Sequence, residues 1–163
     1  MASNPGARKS GSFIAVSDAP DPCRTPPNMA PVPYMIVANL DDALSVSPSV
    51  TFGGHPVVLA GESTVGSVTG DEAGTGGGVK SGCHGGEVAF ARGSGSLRVN
   101  GKHVVREDDP VTMNKGNTTG RVVCLDGAAP TGSIGPGGQP TTDTNPPQPQ
   151  PPFEESRDDQ GAY

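Results

Sequence analysis

The stretch "SVTFGGHPVVLAGES" (Ser49–Ser63) has a second version further along the chain, "SLRVNGKHVVREDDP" (Ser96–Pro110). Gly54 and Gly101 stand 47 positions apart, and at the same offset Val57 and Val58 fall on Val104 and Val105. Each copy alternates apolar and polar residues around a short pair, Gly53-Gly54 in the first and Asn100-Gly101 in the second. Such pairs suit a two-residue hairpin turn, whose central residues need positive φ, and Asn-Gly is the strongest short signal for one. Each copy is therefore predicted to run strand–turn–strand. Val50, Phe52, Val57 and Leu59 are the apolar positions of the first, and Leu97, Val99 and Val104 those of the second. A duplicated hairpin implies internal pseudo-symmetry. Two hairpins and a third strand pair can face one another around an axis and make a small three-sided body.

Thinness is forced on that body by what the chain has to bury. Hydrophobic residues make up 32% of 163, with 25 Gly, 18 Pro and no Trp, against roughly 45–50% apolar in a typical globular chain. A conventional two-layer core is out of reach. Either part of the chain is disordered, or the fold is thin and a partner completes it. The formal charge of −6 comes with scattered Lys and Arg, which argues against nucleic-acid binding, since phosphate neutralisation needs clustered cations. No window approaches the ~18 apolar residues of a membrane span. The N-terminal apolar run "FIAV" is too short for a signal peptide. The expectation is a protein made in the cytosol that stays there unless a dedicated machine moves it. Cys23, Cys83 and Cys124 are odd in number with no close pair, which argues against a disulfide framework.

Along the chain, residues 1–20 are expected to form a flexible arm rich in Gly, Ser and Ala. "DPCRTPPNMAPVPY" (Asp21–Tyr34) holds five prolines and is expected to run extended across a surface, partly polyproline-like, rather than inside a sheet. "VANLDDAL" (Val37–Leu44) could make one helical turn. "GEVAFAR" (Gly86–Arg92) and "GRVVCLDG" (Gly120–Gly127) are further strand candidates. Between the copies, "GDEAGTGGGVKSGCHGG" (Gly70–Gly86) is glycine-dense but lacks phosphate-loop spacing, so tight turns are expected. From Ala128 the chain has almost nothing to bury and is expected to be a disordered, Pro- and Gly-rich acidic tail. Its end, "FEESRDDQGAY", reads either as a docking peptide or as a solvated terminus.

Four stretches taken in order carry a resemblance: "PDPCRTPPNMAPVPY", "VTFGGHPVVLAGES", "GDEAGTGGGVKSG" and "LRVNGKHVVREDDPVTMNKGNTTG". Together they resemble the PAAR-like domain family of contractile injection systems, including type VI secretion, over roughly Asp21 to Leu125. The literal proline-alanine-alanine-arginine motif is absent, and the tail is too short for a catalytic toxin domain. The resemblance implies a mostly β fold, a small pointed β-cone or prism built from short repeated hairpins over residues 21–127. It implies docking of the blunt base onto a trimeric VgrG-type spike and a role as the sharpened tip. Transient puncture of a membrane, without stable insertion, and carriage of cargo go with that role. An effector or chaperone could be recruited through residues 128–163. Such a protein would be made in the bacterial cytoplasm and delivered out of the cell by the apparatus without a signal peptide.

The resemblance also implies zinc near the point, held by His and Cys. The available ligands are Cys23, Cys83, Cys124, His55, His84 and His103, and Cys23, Cys83, His84 and His103 are the expected set. Zinc takes four S or N donors in a tetrahedron, and a closed site would support a small fold short of core. Neither C-x-x-C nor H-x-x-x-H spacing occurs. His55 belongs to a hairpin turn, and Cys124 reads as a small buried hydrophobe. An enzyme is disfavoured. Cys83 and His84 are neighbours without an orienting third group, and the carboxylates of "GDEAGT" and "REDDP" read as solvated or turn-capping. The leading expectation is a non-enzymatic spike tip. The alternatives are an effector-recruiting adaptor acting through the tail and a small metal-dependent hydrolase using the Cys83-His84 region.

Overall fold

The computed structural model describes residues 4–126, and the expected tail over residues 128–163 lies outside them. Both copies of the repeat fold as hairpins. In the first, β6 (Thr51–Phe52) pairs with β7 (His55–Pro56); in the second, β11 (Arg98–Val99) pairs with β12 (Lys102–His103). Their turns have the same left-handed backbone, φ 60° and 85° at Gly53-Gly54 and 51° and 82° at Asn100-Gly101. This is the geometry that matches the twist of the flanking strands. The likeness reaches further back than the quoted stretches. The Ser47 hydroxyl accepts from the Val50 N–H at 3.0 Å, and Ser94 Oγ accepts from the Leu97 N–H at the same 3.0 Å.

Both hairpins run into a collar of three chain segments. The Ala7 N–H donates to the Val105 carbonyl (2.7 Å), the Val105 N–H to Val58 (3.1 Å), and the Val58 N–H back to Ala7 (3.0 Å). All three residues are fully buried. Because successive side chains of extended backbone point to opposite sides, the collar separates two apolar clusters. Val57 and Val104 join Leu59 and Val99 on the hairpin side, while Ala7, Val58 and Val105 join the main core. The third segment carries Gly6 where the others carry Val57 and Val104, and a Cβ there would lie 2.6 Å from the Phe52 ring.

The main core is wrapped by a seven-stranded antiparallel sheet. Its members are β4 (Val37–Asn39), β1 (Phe13–Ser17), β14 (Thr118–Cys124), β13 (Pro110–Met113), β10 (Val88–Ala89), β8 (Thr64–Val65) and β5 (Ala43–Leu44), in that spatial order. Phe13, Ala15, Val111, Met113 and Val122 point inward from alternate positions. The outer strands β4 and β5 are joined in sequence by a single 3-10 turn, Leu40–Asp42. Val37 also exchanges two backbone hydrogen bonds with Thr69, just past β8. The sheet therefore curls until its edges meet, and the body is mostly β, as expected. The one helical turn expected in Val37–Leu44 is this 3-10 turn, capped by the Asn39 side chain.

Two sequence expectations are corrected. Within residues 1–20, expected as a flexible arm, Phe13–Ser17 is an interior strand of the sheet, paired with β14 and β4, and Ala7 belongs to the collar. "FIAV" is too short to signal a strand alone; of its two partners, one, Gly120–Cys124, lies more than 100 residues away. The proline-rich segment also enters a sheet. Here β2 (Asp21–Thr25) lies between β3 (Ala30–Tyr34) and β9 (Gly77–Gly78). It can do so because Pro31 and Pro33 stand on the edge strand, where a missing N–H costs no ladder bond.

Candidate functional site: a buried carboxyl and amide cluster

Strand β2 alternates, and its inward positions are Asp21 and Cys23, both fully buried. Asp71, fully buried as well, reaches them from the turn after Gly70. Among the described residues this is the group whose donor atoms could hold a metal ion, all within 4.8 Å of one another. Cys23 Sγ lies 3.2 Å from Asp21 Oδ2 and 3.9 Å from Asp71 Oδ2. The β13–β14 turn, "NKGN", brings two buried amides to the same place. Asn114 Nδ2 donates to Asp21 Oδ2 (2.9 Å) and Asn117 Nδ2 to Asp21 Oδ1 (2.7 Å).

The other ends of these side chains hold the glycine-rich loop. Asn117 Oδ1 accepts from the Lys80 and Ser81 N–H groups at 2.7 and 3.0 Å. Asn114 Oδ1 accepts from Gly86 at 2.9 Å, and the Asp71 carboxyl from Gly85 at 2.9 and 3.1 Å. Four backbone donors of residues 80–86 thus end on three buried side chains. Gly78 lets the backbone close in, since a Cβ there would lie 2.3 Å from Asn117 Cγ.

None of the ion pairs among the described residues involves Asp21 or Asp71. Burial, followed by the charge of Asp21 and a hydrogen bond with it, pushes the Asp71 carboxyl above its ordinary value, against the pull of the Gly85 N–H. Two carboxyls this close without a cation do not both ionise readily. Burial, then the hydrogen bond to Asp21 and the two nearby charges, push the Cys23 thiol up to about 12. It is a thiol here, not a thiolate. Glu72, next to Asp71, behaves oppositely: it is exposed, and its carboxylate caps the Gly70 N–H at 3.0 Å, which lowers its pKa. The expectation for "GDEAGT" thus holds for Glu72 and fails for Asp71.

The four ligands expected from sequence do not converge. Cys23 is in the cluster. Cys83 is half-buried at its margin, 3.5 Å from Asn114 Oδ1. His84 is exposed, and His103 belongs to β12, its Nδ1 against the Ser94 carbonyl. The loop turns the N–H groups of Lys80, Ser81, Gly85 and Gly86 inward and leaves the His84 side chain in solvent, while His103 stands on a separate hairpin. Cys124, by contrast, is the buried core residue it was expected to be. Neither imidazole hydrogen-bonds to Cys83, whose sulfur meets Asn114 and Ser81. Sequence reasoning missed Asp21, Asp71, Asn114 and Asn117. The signals for them were the D-x-C alternation and the Asn pair flanking one turn.

The donor set of the cluster does not match the zinc site that the resemblance implies. It offers one thiol, two carboxyls already engaged by amide donors, and no imidazole, where a closed zinc site takes S and N donors.

The described body is mostly β, with paired hairpins on a three-segment collar and one buried cluster of carboxyl, thiol and amide side chains. Residues 14–120 match the family described as "Toxin PAAR-like domain". That is more than half of the 163 residues, and the chain belongs to this family. Comparison with curated proteins and with solved structures yields no match.

Proposed function

We propose that the chain is a non-enzymatic tip that caps the trimeric VgrG-type spike of a type VI secretion or related contractile injection system. Family membership supports this class of role. The observation that carries it is the collar. Ala7, Val58 and Val105 close a cycle of three backbone hydrogen bonds, a local threefold arrangement made by one chain. A single polypeptide capping a threefold partner needs pseudo-threefold contacts, and repeated hairpins springing from such a cycle supply them.

In this reading the protein works by stiffness and shape. The closed sheet, the twin hairpins and the clasped loop resist deformation, and no step of bond chemistry is assigned to any residue. The protein would be made in the bacterial cytoplasm and leave with the apparatus, puncturing a membrane transiently. Among the described residues no helix is long and apolar enough to cross one. Recruitment of an effector or chaperone by residues 128–163 is part of the proposal and rests on their sequence alone.

The test is to mix purified protein with the matching trimeric spike and read the mass of the complex. A single copy per trimer is expected. Absence of any complex at micromolar concentrations, or three copies per trimer, would overturn the reading.

A further inference from the structure

We propose that the outer face of the β2–β3–β9 sheet binds the interface of a bilayer that carries anionic phospholipid. The inference does not depend on spike binding, and a test on the protein alone keeps the two apart.

The face lies at the far end of the body from the hairpins. Strands β13 and β14 start and finish beside the collar, where the Asp109 N–H meets the Arg106 carbonyl and the Cys124 N–H the Glu107 carboxylate. They turn at Asn114–Asn117, inside the buried cluster. The sheet that sends Asp21 and Cys23 into that cluster therefore closes the opposite end.

Cross-strand neighbours share a face. Pro22 stands opposite Pro33 and Arg24 opposite Pro31. Val79 continues the register beside Pro22, to whose carbonyl its N–H donates at 2.9 Å. With Asp21 and Cys23 inward, these five side chains point outward. Met29 joins them from the β2–β3 turn: a Cβ on Gly76 would lie 2.9 Å from its sulfur and 2.7 Å from Arg24 Cβ. Met29 and Val79 are 48% and 42% exposed.

Three exposed cations accompany this apolar face, Arg24 within it and Lys80 and Lys115 on the two adjoining turns. Asn117 fastens those turns together by accepting from the Lys80 N–H. Among the described residues none of the three cations is in an ion pair, and Arg24 donates to the Gly78 carbonyl. The exposed acids nearest this end are Asp18, paired with Arg121, Glu72, folded back on the Gly70 N–H, and Glu87.

Apolar area with cations at its margin is the composition that binds an anionic membrane surface, long side chains lifting their charges to the headgroups. Shape selects a bilayer over a protein. Every residue from Ala30 to Pro33 is exposed, so β3 stands out as a ridge. Its outer edge carries Pro31 and Pro33, which have no N–H to offer an incoming strand. For the same reason the ridge brings no N–H at those positions that must stay solvated as it enters the acyl boundary.

Full-length protein is sedimented with phosphatidylcholine vesicles, with and without phosphatidylglycerol, at low and high salt. Binding to the anionic vesicles is expected, weakened by salt. Each cation near an anionic surface strengthens binding about fivefold, so Lys80→Gln with Lys115→Gln should weaken it by about tenfold or more. Val79→Asp should abolish it by placing an anion in the apolar face. Arg92→Gln with Arg98→Gln makes the same change of charge near the second hairpin and should leave binding as it is. All five replaced side chains are exposed, and melting temperatures equal to the parent's show that the variants fold. No binding to either vesicle would overturn the proposal and leave the face to a protein partner. Binding indifferent to headgroup charge, or an equal loss in the hairpin pair, would overturn it as well.

Discussion

Cys23 and Cys124 are both buried thiols, and their surroundings give them different physics. Cys124 lies among apolar side chains as a small hydrophobe. Cys23 points its sulfur at two carboxyls, and its pKa is raised from 9.0 to about 12. A group that holds its proton more tightly when folded stabilises the fold fully below its unfolded pKa, and that contribution fades as pH climbs toward the folded value. Stability should therefore fall between about pH 9 and pH 12 by an amount that Cys23→Ser lacks. Urea midpoints of parent and variant at pH 7 and pH 10.5 give the difference, in which the other titrating groups cancel. Parallel curves would refute the assignment. At this scale Cys23 was legible in the sequence as a chemically special residue, but Asp71 was not. Nothing in "GDEAGT" distinguishes a carboxyl that will be sealed from Glu72 beside it, which caps a turn in solvent. That distinction depends on which neighbours arrive from Asp21 and Asn114.

The hairpins were the most legible elements, because their signal is local. Two residues at positive φ and alternating apolar positions need no distant partner to be recognised. Their anchoring serines give a test. Ser94→Ala removes an acceptor for the Leu97 N–H and should cost about 1 kcal/mol. Ser47→Ala should cost more, about 2 kcal/mol, because Ser47 also donates to Asn100 Oδ1 of the second hairpin at 2.6 Å. Chemical denaturation of the two variants checks the order, and equal losses would mean the cross-link between hairpins contributes nothing. The β2–β3 pair is hard to read for the opposite reason. Proline argues against a sheet locally, yet it excludes only the donor side of a strand. Pro31 and Pro33 leave β3 with no N–H groups at its outward positions, which also blunts that edge against strand addition.

As a body, residues 4–126 are held by a sheet whose edges meet and by a collar that draws on residues near 7, 58 and 105. These contacts are internal to that unit. Protein ending at Asp126 should therefore melt at the same temperature as the full chain and still bind a trimeric spike. If only cargo delivery is lost, the tail recruits; if spike binding is lost, the proposed role of the collar is wrong. What the sequence alone determined was the β class, the twin hairpins and the shortage of core, since these follow from short-range periodicity, turn chemistry and composition. The tertiary structure alone decided that "FIAV" becomes an interior strand, that one chain closes a threefold collar, and that Asp21, Cys23, Asp71, Asn114 and Asn117 meet. Each of those depends on pairing between segments tens of residues apart, and an isolated side chain carries no mark of what will be folded against it.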